Sequence, residues 1–369
     1  MDFTPSPAQQ ILVSTARQFL RSHCPPERVQ AWALDERGVD EKVWRQMAEL
    51  GWPGLLVDPA FNGSGGSMLD VALLVEQMGY ACLPGPFVTS AVVVTSLLAV
   101  AGSAHQQKVL LSDLASGERI ATLALVEESG SGDLDDVTLA CRVPGRVTGR
   151  KLFVKDAHVA DLLVVVVREG NDLSVVILPT ARPGITRLPL ASISGEKIFE
   201  VAFDDVEVTA DDRLGPAGRG GELLKPALQA GALARTAEMV GGAQRILDLV
   251  VEHAKTRVQG GRPIGGYQAI QHTCADLVRD VDTARGLLYL AAWKTAEGLP
   301  ADRDVAMAKA HAGEACLTVA RRGHQVFGAI GYCEEHPLHL IHKRIQSASL
   351  DFGDAQHHLE TIARSIGLT

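Results

Sequence analysis

The chain has 369 residues, 46% hydrophobic and 21% charged, enough to bury an ample core in two or three folding units. Its formal net charge of -9 argues against nucleic acid or an anionic membrane as partner. Apolar runs such as Ala91 to Ala101 and Leu162 to Val167 fall far short of the ~20 residues that a membrane helix needs.

The opening MDFTPSPAQQ lacks a basic start followed by an apolar run, so no secretory signal is expected and the reading is a soluble, cytoplasmic protein. Residues 1 to 118 are helical in pattern. Ile11, Leu12, Ala16 and Leu20 keep helical spacing, and Leu69 to Met78 and Ser90 to Leu98 continue similarly. From Ile120 the period changes. Ala121 to Val126, Val147 to Val154, Leu162 to Val167, Leu173 to Leu178 and Val201 to Val208 are short runs rich in branched residues, separated by Gly, Asp, Asn and Pro. They predict an antiparallel barrel or sandwich over residues 119 to 213. Gly218 to Gly221 lacks the Gly-Lys-Ser/Thr ending of a phosphate loop and marks the crossover out of it. Residues 214 to 369 turn helical again. Ile270, Cys274, Leu277, Val281, Ala284, Leu288 and Ala291 alternate steps of four and three, the apolar stripe of a bundle helix. The expected class is α+β: an N-terminal helical domain, a central β domain and a C-terminal four-helix bundle.

The six cysteines, at 24, 82, 141, 274, 316 and 333, have no paired short spacing and read as small buried hydrophobes. His336, His339 and His342 recur every three residues without acidic ligands in step, and Lys343 and Arg344 follow. This reads as a solvated or interface face, and no metal site is expected.

Arg257 to His272 reads RVQGGRPIGGYQAIQH, an Arg and a glycine-rich turn between two helical segments. It resembles the Arg-x-x-Phe-Gly-Arg/Lys-Pro-Ile-Gly signature of the acyl-CoA dehydrogenases. His324 to Arg344, HQVFGAIGYCEEHPLHLIHKR, is similar to the family's His-Gln-x-x-Gly-Gly-x-Gly segment, with Gln325, Gly328 and Gly331 matching and Ala329 where Gly is usual. AELGWPGL at Ala48 to Leu55, Gly63 to Gly66 and EQMGYACLPGP at Glu76 to Pro86 match the family's entry helices and the turn between them.

The resemblance implies FAD, with Arg257 and Gln259 reaching its pyrophosphate across a subunit interface and Gln325, Gly328 and Gly331 against its adenosine half. A guanidinium suits phosphate as a fixed fork of donors. Gly260 stands where the family has Phe. In place of the family's Thr-Glu-Pro-x-x-Gly-Ser-Asp the chain has Val126 to Asp133, with Ser131 at the hydroxyl position. In place of Trp-Ile-Thr against the flavin ring it has Phe153, Val154 and Lys155. Implied partners are an acyl-CoA, an electron-transfer flavoprotein and further subunits in a dimer or tetramer.

Desaturating an acyl-CoA requires a carboxylate to remove the α proton while a hydride leaves the β carbon for the flavin. The family's Glu-Gly-Thr segment aligns with Asp351, Phe352, Gly353 and Asp354, so Phe352 occupies the Glu position. The alternative site on the bundle helix aligns with Gly231. Three readings stay open. Asp354 or Asp351 supplies the base, as in the Leu-x-x-Gly-Asp paralogues associated with steroid and other bulky acyl groups, although Asp354 also suits a helix N-cap. Alternatively Glu238 supplies it, although pairing with Arg235 or Arg245 competes for that side chain. In the third, the chain is a base-deficient subunit of a heteromeric enzyme. Outside this chemistry stand a non-enzymatic CoA-binding scaffold and a flavin oxidase.

Overall fold

The computed structural model describes residues 5–368. The helices before the first strand are α1 (Pro7–His23), α2 (Pro26–Leu34), α3 (Glu41–Glu49), α4 (Met68–Tyr80), α5 (Thr95–Ala101), α6 (Ala104–Gln106) and α7 (Ser112–Ala115). Ser6 starts α1 by accepting from Gln9 N at 3.2 Å, while Gln9 Oε1 accepts from Ser6 N at 2.9 Å. This reciprocal box satisfies two donors that the first turn would otherwise leave open. Ala16 and Leu20 are buried on α1, but Ile11 is 65% exposed, so the apolar stripe is narrower than the spacing suggests. The run expected at Ser90 to Leu98 is a π-helical stretch, Val88–Val94, leading into α5.

The strands are β1 (Ala121–Ala124), β2 (Gly145–Lys155), β3 (Leu162–Glu169), β4 (Asp172–Pro179), β5 (Ile185–Leu190), β6 (Ile198–Val208) and β7 (Arg213–Leu214). They form two sheets, ordered β1-β3-β4-β7 and β2-β6-β5. Inward residues from both, among them Val147, Val154, Leu163, Val165, Val176, Val201 and Phe203, make one core. The purely antiparallel expectation needs correction: β1 pairs with β3 in parallel. Between these strands the chain crosses to β2 in the other sheet, and a return through a second layer permits the same direction. Strand β5 was not legible as a strand, because ITRLPL is mostly exposed and carries Pro189, which an edge strand tolerates.

Beyond β7 come α8 (Gly220–Thr256), the ribbon β8 (Val258–Gln259) and β9 (Arg262–Pro263), then α9 (Gln268–Ala296), α10 (Asp302–Phe327), α11 (Ala329–Tyr332), α12 (Leu338–Leu350) and α13 (Ala355–Ser365). α10 packs against α9, α12 and α13. On α9 the stripe from Leu277 to Ala291 is buried, whereas Ile270 and Cys274 in the first turns are only half-buried.

By contacts the chain groups into two units, one of 1–33, 68–83 and 232–369, the other of 34–67 and 84–231. One of the boundaries falls inside α8, and neither 118 nor 213 is a boundary in this grouping. In the first unit α4 and α8 meet backbone to backbone. A Cβ on Gly79 would lie 2.2 Å from Glu238 O, and one on Gly241 would lie 1.9 Å from Glu76 O. Only glycine permits such an approach. Glu76 then accepts from Arg285 Nε at 2.9 Å and from the Tyr289 hydroxyl at 2.6 Å, which ties α4 to α9.

None of the six cysteines forms a disulfide. Cys24, Cys82, Cys141 and Cys316 are buried as expected, but Cys274 is half-buried and Cys333 exposed. Among the described residues no helix is long and apolar enough to cross a membrane, and no cluster of His, Cys, Asp and Glu could hold a metal ion.

Candidate active site

The β8–β9 ribbon turns through Gly260 and Gly261, both at positive φ (60° and 81°), with Gln259 opposite Arg262. Two left-handed residues are what the tightest hairpin demands. The absence of the family's Phe at 260 thus has a local reason: a Cβ there would lie 2.4 Å from the Tyr267 hydroxyl, which donates to Gln259 O. Arg257 and Gln259 are exposed, and Arg257 forms no ion pair among the described residues.

Gln325 is exposed at the end of α10 and Gly328 follows at φ 66°, ψ -142°, a conformation that L residues avoid. Nothing lies within 4 Å of where a Gly328 Cβ would be, so this backbone faces open space. Gly331 is buried against Phe327 and Leu338. Of the expected solvated or interface histidine face, the solvated alternative needs correction. His336 precedes α12 and packs on Phe327 (4.5 Å between ring centres), while His342 packs on His324 (5.0 Å), itself stacked on Tyr332 (4.6 Å). Burial lowers the pKa of His324, His336 and His342, and the rings serve as aromatic packing, His324 buried and the other two half-buried.

In the second unit Phe153 is 49% exposed with φ 55°, an unusual state for a bulky residue. Val154 is buried in the β core. Lys155 is held by Glu196 at 3.0 Å. Ser131 Oγ accepts from Asp133 N at 3.0 Å in an open loop. That loop is anchored by Glu127, which accepts from Thr138 N at 2.8 Å, Leu139 N at 3.0 Å and the fully buried Lys151 at 2.6 Å. Burial would raise the Glu127 pKa, but Lys151, Thr138 and Leu139 outweigh it and bring it to about 2. Arg213, opposed by burial and helped by Val143 N and Ser174, does the same for Glu169.

Both carboxylates therefore stabilise the fold fully above their ordinary 4.5, and the contribution is lost as pH falls toward about 2. The urea midpoint, followed through Trp44 and Trp52 fluorescence, is expected to stay level from about pH 7 to 5 and then fall below about 4.5. A midpoint flat down to about pH 2 refutes this assignment.

The three candidate carboxylates lie in the first unit and differ in their partners. Arg235, nearly buried on α8, pairs with Glu238 one turn on and, through Nε at 3.0 Å, with Asp351. Asp354 is exposed and caps α13, its Oδ1 accepting from His357 N at 2.9 Å. Its Oδ2 has no hydrogen bond among the described residues. Between them Phe352 and Gly353 both adopt positive φ, 56° and 93°. Sequence reasoning missed two groups beneath this turn. Lys309 of α10, 1% exposed, donates to Ser349 O at 2.8 Å and Gly353 O at 2.7 Å. His358 is buried 3.0 Å from Phe352 O through Nε2. Burial lowers Lys309 to about 8, with Asp351 and Asp354 opposing and Arg235 adding. Burial also lowers His358 to about 4, leaving a neutral ring whose Nε2–H donates to that carbonyl. The spacing of Lys309 between Val305, Ala312 and Cys316, on a stripe otherwise apolar, was the available signal.

Residues 6–118 match the model of the acyl-CoA dehydrogenase N-terminal domain and residues 218–367 that of the C-terminal domain. The acyl-CoA dehydrogenase IpdE2 of Mycobacterium tuberculosis is 30% identical over 348 residues, 94% of this chain and 93% of its own. A chain of the ChsE4–ChsE5 complex from Mycobacterium tuberculosis is similar with a TM-score of 0.92 and 30% identity over 100% of each chain. Glutaryl-coenzyme A dehydrogenase in its glutaryl-CoA complex reaches a TM-score of 0.95 at 26% identity, covering 100% of this chain and 98% of the other. The chain belongs to the acyl-CoA dehydrogenase family and is an oxidoreductase of the acyl-CoA dehydrogenase type.

Proposed function

We propose that the protein is an FAD-dependent acyl-CoA dehydrogenase that oxidises the Cα–Cβ bond of a CoA thioester with a bulky acyl group and passes electrons to an electron-transfer flavoprotein. The observation that carries the cofactor is Arg257: an exposed guanidinium, without a carboxylate partner among the described residues, at the base of a glycine hairpin. The residues present fit the group. In the first unit Arg257 and Gln259 offer donors to a diphosphate, and Gln325 with the open backbone at Gly328 suits the adenosine half; in the second unit Phe153 offers a half-exposed apolar ring and Ser131 a hydroxyl to a flavin ring. FAD, when bound, accepts the hydride from the β carbon.

The chain's own task is then to take the α proton. Asp354 is the candidate base, because it is exposed and keeps one carboxylate oxygen open, whereas Glu238 and Asp351 share Arg235. That same shared pairing, with Phe352 at the usual Glu position, favours one second reading: a base-deficient subunit whose partner chain is catalytic. A likeness to one chain of a two-component complex supports it. The assembly on either reading is a dimer or tetramer.

The test is a yellow purified protein whose flavin bleaches with CoA thioesters, assayed with and without a companion subunit. A colourless protein that takes up no FAD overturns the proposal. Arg257→Ala is expected to weaken FAD retention by about 1.5 to 3 kcal/mol, the worth of a charge-assisted contact, read as flavin released on dialysis. Retention equal to wild type removes the phosphate role.

A further inference from the structure

The Asp351–Asp354 turn has an unusual support. Two successive residues, Phe352 and Gly353, hold positive φ, and for Phe this is a strained state that surroundings must impose. Three basic side chains impose it from separate helices. Lys309 reaches up from α10 to the carbonyls of Ser349 and Gly353, before and within the turn. His358 from α13 meets the carbonyl between them, that of Phe352. Arg235 from α8 holds the Asp351 carboxylate at 3.0 Å. Gly353 is required as well, since a Cβ there would lie 2.5 Å from His357 Cδ2 and 2.9 Å from His358 Nε2. Lys309 is the member with no purpose of its own on α10: a lysine 1% exposed among alanines is costly unless its donors are used.

We infer that Lys309 is a positioning residue for this turn: its buried amino group, tied to Ser349 O and Gly353 O, fixes where Asp354 presents its open carboxylate oxygen. The clamp rests on geometry alone. That it serves catalysis rests on the reading of Asp354 as the base. A misplaced reacting group of about 1 Å is enough to cost catalysis heavily without weakening substrate binding, so the signature is a rate effect at saturation.

The experiment uses the full-length FAD-loaded protein and two variants, Lys309→Met and Lys309→Gln. Amide hydrogen exchange by mass spectrometry is read on the peptide spanning Phe352 to His358 and, as control, on α9. Loss of both donor contacts in Lys309→Met is expected to raise opening of the turn at least about tenfold while α9 is unchanged. Lys309→Gln, which retains amide donors, is expected to fall between; if the Met variant does not fold, the Gln variant carries the comparison. Turn exchange equal to wild type in the variant that folds overturns the inference. In parallel, flavin bleaching by 3-phenylpropanoyl-CoA is expected to show a limiting rate at least about tenfold lower with an unchanged half-saturation concentration. A loosened turn with a wild-type limiting rate overturns the positioning role. A wild type that never bleaches is a failure of the function reading, and the exchange result then decides the clamp by itself.

Discussion

Asp354→Asn is expected to lower the rate of flavin reduction by a CoA thioester at least ~100-fold, the usual cost of losing a general base. Folding stability is expected to change by only a few tenths of a kcal/mol, because Asn caps a helix about as well as Asp. The two effects separate because the side chain has two oxygens with separate tasks: Oδ1 accepts from His357 N, and Oδ2 is open. The amide preserves the first and abolishes the second. Stopped-flow bleaching and urea unfolding on one preparation measure both. Glu238→Gln and Asp351→Asn are parallel controls, expected to alter stability through Arg235 more than rate. Should all three variants reduce flavin at the wild-type rate, the base is none of these carboxylates and the heteromeric reading takes its place.

Arg235→Leu is expected to cost about 3 to 5 kcal/mol in unfolding free energy, since it strands Glu238 and Asp351 in a largely buried place without their shared cation. The desolvation of two carboxylates is the source, more than the loss of two contacts. It follows that the triple change Arg235→Leu, Glu238→Gln, Asp351→Asn is expected to recover a large part of the loss, because neutral amides carry a far smaller burial penalty. Urea unfolding of wild type, Arg235→Leu and the triple variant reads this directly. A single variant within about 1 kcal/mol of wild type shows that the cluster is well solvated and that Arg235 is not its keystone.

What could be read in the sequence was what local pattern encodes. The valine-rich runs gave β3 and β4 nearly to their ends, because strands buried on both faces are apolar throughout. The 4-3 stripe found α9. Sequence pattern was silent where partners are distant. Nothing near Ala121 announces a parallel neighbour at Leu162, and nothing near Arg235 announces Asp351. At the candidate site the motifs located the hairpin and the Gly353–Asp354 step, but the difference between a paired carboxylate and an open one is a matter of which helices meet. Only the three-dimensional arrangement distinguishes Asp354 from Asp351. Lys309 was passed over because a lone lysine in a helix is ordinarily a solvated one.

The glycine seam between α4 and α8 bears on the order in which the chain can fold. Met68 and Val71 through Gly79 are all buried on α4, and the backbone they meet at Glu238 and Gly241 is not synthesised until more than half the chain has been made. A nascent chain ending before α8 can lay α4 on α1 but lacks the backbone that the Gly79 face of α4 meets, and closing so long a loop is slow compared with forming the helix itself. The strand-bearing residues that lie between have all emerged by then. Synthesis thus leaves the α4 helix dependent on late residues, and the cell has to shield it from other exposed apolar surfaces until α8 arrives.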